Sequence, residues 1–116
     1  MKFSVLVAIV PEDLEQAAID AARNEGAGGI TVMSGRGISN NAKKSFFGLS
    51  YDGSQNIMLM VLEKSLSLCV LKAVQRVVMP SDDESQGLVF TIPLEHLAGI
   101  EVSQLEKFEQ HVKESF

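Results

Sequence analysis

Apolar and polar positions divide the chain into four strand-like and three helix-like runs. Phe3–Val10, FSVLVAIV, is nearly continuous and rich in β-branched residues, the pattern of a central strand covered on at least one face. Pro11 suits the first turn of a helix, Glu12 and Asp13 complement the positive end of its dipole, and Gly26 offers a left-handed stop. Between them Leu14, Ala17, Ala18, Ala21 and Ala22 recur at helical spacing, and the small alanines imply close approach to a sheet. Residues 30–33 read as a short second strand and residues 57–62 as a third. Ser65 is placed to cap a second helix whose apolar stripe is Leu66, Val70, Ala73, Val74 and Val77, closed by Pro80. A polar loop over 81–86 leads to a fourth strand over 88–94. Beyond Pro93, Ser103 and Glu106 fit a capping box, and Leu105, Phe108 and Val112 share one face of a third helix.

The order is strand-helix-strand, a long connection, strand-helix-strand, then a helix. Two such halves make an α+β ferredoxin-like βαββαβ sandwich, here with an extra C-terminal helix, in a single domain over 1–116. Both crossover helices lie on one face of such a sheet. The other face is aliphatic and needs a cover, by self-association or by the C-terminal helix, because a bare apolar sheet is a large exposed patch.

The connection over residues 34–56, SGRGISNNAKKSFFGLSYDGSQN, is the feature that points to function. A structureless stretch of this length inside a small domain is uncommon and is usually functional or disordered. It carries Lys43 and Lys44, then Phe46 and Phe47, then Tyr51, and aromatics in a solvated loop are hard to explain by packing. The segment is expected to work on a scaffold made by the rest.

Composition removes several function classes. The formal net charge of −5 argues against nucleic-acid binding through phosphate neutralisation. The loop is locally basic, with Arg36, Lys43 and Lys44 against Asp52, and could meet an acidic partner or a phosphate. Cys69 is the single cysteine, so neither an intrachain disulfide nor a thiolate zinc cluster can form, a usage that fits a reducing cytoplasm. The apolar run at residues 3–10 is too short to span a bilayer, so no membrane insertion is expected. No catalytic constellation emerges around His96 or His111, and no metal-ligand spacing does either; the acidic run Asp82-Asp83-Glu84 reads as a solvated turn. A non-enzyme is expected. Gly35-Arg36-Gly37 stands out, because glycines after a strand let backbone N–H groups approach a ligand and Arg36 can pair with phosphate or carboxylate.

Together these residues resemble a known family. Ala27-Gly28-Gly29-Ile30-Thr31-Val32 followed by Gly35-Arg36-Gly37 is similar to the loop approach of PII-type nitrogen regulatory proteins. The first strand leading to Pro11, Gly87 before an apolar strand with Phe90, and the long loop between strands two and three match the same pattern over roughly the first hundred residues. The resemblance implies a homotrimer whose sheets pack inward, and a long loop (the T-loop) that reaches a regulated protein such as a transporter or metabolic enzyme. It also implies adenine nucleotide in the clefts between subunits, lined here by Thr31, Gly35, Arg36, Gly37 and Gly87. Tyr51 falls where some members carry a modified tyrosine. The chain departs from the family at the cations that hold triphosphate. Gln86-Gly87-Leu88 stands where a Gly-Asp-Gly-Lys run is expected, and Ala98-Gly99-Ile100-Glu101 where an Arg-x-Arg segment is. The family's loop glutamine has no clear counterpart near Ile38-Ser39. The expectation is therefore a divergent PII-like regulator with an altered or absent ligand, with Lys43, Lys44, Phe46, Phe47 and Tyr51 as its partner-binding residues. A CutA-like metal- or small-molecule-responsive trimer is the alternative, and a ferredoxin-like small oxygenase a remoter one.

Overall fold

The computed structural model describes residues 2–37, 45–46, 49–50, 53–82 and 84–100. Its strands are β1 (Phe3–Val10), β2 (Thr31–Gly37), β3 (Ser45–Phe46), β4 (Leu49–Ser50), β5 (Gly53–Glu63) and β6 (Leu88–Pro93). Its helices are α1 (Glu15–Asn24), preceded by a 3-10 turn at Glu12–Leu14, and α2 (Lys64–Val78). Four strands form one antiparallel sheet in the order β2-β5-β1-β6. Each βαβ half straddles a strand of the other, which is the ferredoxin-like topology the sequence predicts. The expected C-terminal helix, with Ser103, Leu105, Glu106, Phe108 and Val112, lies outside the described residues.

Strand alternation sorts the sheet into two faces. On one, Leu6, Ala8 and Val10 of β1 and Met58, Met60 and Leu62 of β5 are buried against Ala18 and Ala22 of α1 and Val70, Val74 and Val78 of α2. The core sits there. Ala18 and Ala22 bring α1 close, as the alanines predict, but Ala17 faces solvent because it lies about 100° around the helix from Ala18, on the side away from Ala22. The 3-10 turn after Pro11 delays α1, which opens at Glu15 and not at Pro11. It closes in a Schellman motif: Gly26 sits at φ 110°, its N–H donates to the Arg23 carbonyl, and the Ala27 N–H donates to that of Ala22.

Two sequence expectations at element ends are corrected. β5 runs straight into α2, so the cap is Glu63, whose side chain accepts from the Ser65 N–H at 2.7 Å and from its hydroxyl; Ser65 is already inside the helix. The Lys64 N–H meanwhile donates to Lys2, tying this junction to the start of β1. The connection over 34–56 is not structureless at its ends. β2 continues to Gly37 and β5 begins at Gly53, so Ser34, Gly35, Arg36 and Gly37 pair with Asn56, Gln55, Ser54 and Gly53. Residues 45–46 and 49–50 pair with each other inside it. The excursion beyond the paired strands therefore covers 38–52.

Candidate functional site

The β2–β5 ribbon outgrows the sheet. β1 stops pairing with β5 at Val10↔Asn56, whereas β2 follows β5 for three further pairs, to Gly37↔Gly53. At about 3.3 Å per residue this places the root of the excursion roughly 10 Å past the end of β1. Alternation assigns Gly35 and Gly37 to the sheet face away from the helices and Arg36 to the other, where its side chain is exposed. Gly35 has a packing reason as well: a Cβ there would meet Ile57 Cδ1 at 3.0 Å. Of the partner-binding candidates, Phe46 belongs to β3, its backbone paired with Leu49. Lys43, Lys44, Phe47 and Tyr51 lie outside the described residues.

The cleft candidates are separated within one chain. Gly35, Arg36 and Gly37 are on β2, at one edge of the sheet, and Gly87 immediately precedes β6, at the other. Three strand spacings, about 14 Å, divide them. They do share one end of the sheet, because Leu88 pairs with Ile9 just before Val10 meets Asn56 and Asn56 meets Ser34. Thr31 is further back, level with Leu59 and Val7. A single pocket holding all five residues is thus not formed by one chain.

The surroundings of Gly87 are mostly apolar. A shallow recess of about 160 Å³ is lined by Leu71, Gln75, Val78, Met79, Ser85, Gly87, Leu88 and Val89. Its polar groups are Gln75 and Ser85, and the Ser85 hydroxyl already donates to the Gly87 carbonyl at 2.9 Å. Gly87 itself is buried where two backbones meet, with no room for a Cβ against the Ile9 carbonyl and Val78. Among the described residues, Arg36 is the only cation in the predicted cleft set. No group of three or more histidine, cysteine or acidic residues able to hold a metal forms among them either, and none of their helices is long and apolar enough to cross a membrane.

The sheet face away from the helices is apolar and largely open. Met33, Phe90 and Ile92 on it remain 43%, 37% and 47% exposed, with Val5, Ile9, Ile57, Leu59 and Val61 half-buried around them. A groove of about 590 Å³ runs over this face between Val5, Thr31, Leu59 and Val61 and the segment after β6, through Leu97 and Ile100. The chain after Pro93 thus crosses one end of the face and leaves the rest uncovered by described residues. Sequence periodicity foretold this aliphatic surface; it did not single out Gln55 and Asn56, polar residues buried to 5% and 8% exposure at the base of the ribbon.

Solved structures share this architecture. A PII protein of Arabidopsis thaliana bound to citrate superposes with a TM-score of 0.60 at 24% identity, over 80% of this chain and 78% of that one. The fold is that of the PII proteins. The GlnK–ATP complex of Bacillus subtilis shares the PII fold at TM-score 0.63 and 13% identity, over 80% of this chain and 82% of that one. A DUF3240 family protein from Shewanella baltica gives 0.64 and 13%, over 87% of this chain and 99% of that one. No protein-family model and no curated protein sequence matches the chain. The chain is thus a divergent PII-like protein in its fold, and the sequence resemblance and the structural one point the same way.

Proposed function

We propose that this protein is a non-enzymatic PII-like regulator, working as a homotrimer that controls a partner protein through residues 38–52. The supporting observation is the pairing of an open apolar sheet face with a ribbon that outgrows the same sheet. The first is a surface for two further copies; the second roots residues 38–52 beyond the last pair of β1. Lys43, Lys44, Phe46, Phe47 and Tyr51 on the arm steer and anchor a transporter or metabolic enzyme, with aromatics as the anchors. Nitrogen metabolism is the setting the sequence resemblance implies, and the cytoplasm the compartment. Thr31, Gly35, Arg36 and Gly37 of one subunit and Gly87 of the next form the intersubunit cleft. Lacking the family's triphosphate cations, that cleft takes an altered ligand or none.

Light scattering should give three times the 12.6 kDa of one chain. Replacing residues 38–52 by an Asn-Gly turn, which suits a two-residue hairpin, should leave that mass unchanged. It should also remove the partner that the whole chain captures and mass spectrometry identifies. A monomer, or capture that survives the replacement, would refute the proposal.

A further inference from the structure

The outer surface of the helix pair is divided by charge. α2 exposes Lys64, Leu68, Lys72 and Arg76, each four residues from the next and so on one side of the helix. Its sequence, KSLSLCVLKAVQRVV, contains no acidic residue, and none of the three cations pairs with a described carboxylate. Leu68 stands among them 58% exposed, more than any other large apolar side chain described. The neighbouring helix has the opposite sign. Glu12, Asp13, Asp20 and Glu25 are exposed along the 3-10 turn and α1, with Arg23 as the one exposed cation. In a chain of net charge −5, the α2 stripe is an unneutralised basic island beside an acidic one.

Topology makes this division self-complementary. β1 and β5 are antiparallel, and each helix returns against the strand before it, so α1 and α2 run antiparallel side by side. A twofold axis parallel to the helices and between them lays α1 of a second copy over α2, and α2 of that copy over α1. The stacked helices are again antiparallel. Residues 12–25 span about 20 Å and residues 64–76 about 18 Å, so the two charged stretches match in length. Glu12 and Asp13 of the second copy then meet Arg76, Asp20 falls between Leu68 and Lys72, and Glu25 meets Lys64. Leu68 comes opposite the middle of α1, where the small side chains of Ala17 and Ala21 leave it room. A twofold contact uses the same patch on both partners, which is what a surface carrying both signs side by side supplies.

We infer that the helix layer is a second interaction surface and that its partner is another copy of this protein, α1 over α2 and α2 over α1. It uses neither the open sheet face nor the arm, so it holds for a monomer and a trimer alike.

Sedimentation velocity of the full chain tests it. The mass at about 20 mM salt should be at least twice that at about 500 mM, a monomer with its one helix layer doubling and a trimer with three growing further, since exposed charge contacts weaken as the Debye length shrinks from about 20 Å to about 4 Å. Lys72→Glu alone and Asp20→Lys alone, each with an unchanged circular-dichroism spectrum, should stay at the high-salt mass at both salts. An equimolar mixture of the two variants should at least double in mass at low salt, because each 72–20 contact across a mixed interface regains opposite signs. A mass that ignores salt, doubling that persists in either variant alone, or a mixture that fails to double would overturn the inference. A trimeric or monomeric high-salt mass separately decides the state of the sheet face.

Discussion

Gly87 and Ile9 are in such close approach that a Cβ at position 87 would stand 2.6 Å from the Ile9 carbonyl oxygen, with Val78 Cγ1 at 2.9 Å behind it. Neither neighbour can yield easily, one being the backbone of the central strand and the other the last residue of α2. The Gln86 N–H, donating to the Val78 carbonyl at 2.7 Å, holds the segment in place.

Gly87→Ala is therefore expected to destabilise the fold by about 1–3 kcal/mol, the usual cost of overpacking, lowering the thermal midpoint by roughly 5–15 °C. Gly35→Ala is the contrast: the Ile57 methyl in its way, at 3.0 Å, is the far end of a flexible side chain, so the cost stays below about 1 kcal/mol. Thermal melts of the two variants check the difference. Equal melts would mean that Gly87 matters for something other than space.

Glu63 joins β5 to α2 and accepts from the Ser65 N–H. Glu63→Ala removes the cap and should cost about 0.5–2 kcal/mol. Glu63→Gln keeps an acceptor oxygen in reach and should cost less. Denaturant unfolding distinguishes them, with a lower midpoint at unchanged slope for Glu63→Ala.

Phe90 and Ile92 are exposed on the open sheet face and contribute little to the monomer core. Phe90→Asp and Ile92→Asp should leave the circular-dichroism spectrum intact and reduce the light-scattering mass to that of one chain, because an unpaired buried charge is far costlier than an exposed one. A mass unchanged by both substitutions would place the subunit contact elsewhere.

Calorimetric titration with ATP should show no binding tighter than about millimolar. Each charge-assisted bond lost with a family cation removes about 1.5–3 kcal/mol, and three such losses weaken a site by several orders of magnitude. Micromolar ATP binding would mean that residues other than those of the familiar motif hold the phosphates.

The element order was legible because Phe3–Val10 and residues 57–62 are apolar on both sheet faces, and the Leu66–Val70–Val74 stripe of α2 packs on one of them. The lengths of β2 and β5 were not. Gly35, Gly37, Ser54 and Gln55 lie beyond the last β1 pair at Val10↔Asn56, with Ser34 and Asn56 level with that pair, so little flanking sheet imposes an apolar alternation there, and the residues read as loop. The cap of α2 was misplaced for a related reason: strand and helix join without a break, and Glu63 serves as the last residue of one and the cap of the other. At the candidate site, Gly87 drew notice as a likeness to a ligand-binding motif, while contact with Ile9 gives it a structural duty that no sequence pattern displays. Lys43, Lys44, Phe47 and Tyr51 were legible as types of residue only, since their positions lie outside the described residues.

β5 is one uninterrupted eleven-residue strand from Gly53 to Glu63, and α2 begins at the next residue. The span is about 36 Å of stiff chain, paired with β2 over residues 53–59 and with β1 over residues 56–63. A load taken up at the tip is therefore delivered to the first turn of α2 as through a rod, with no slack segment to absorb it on the way.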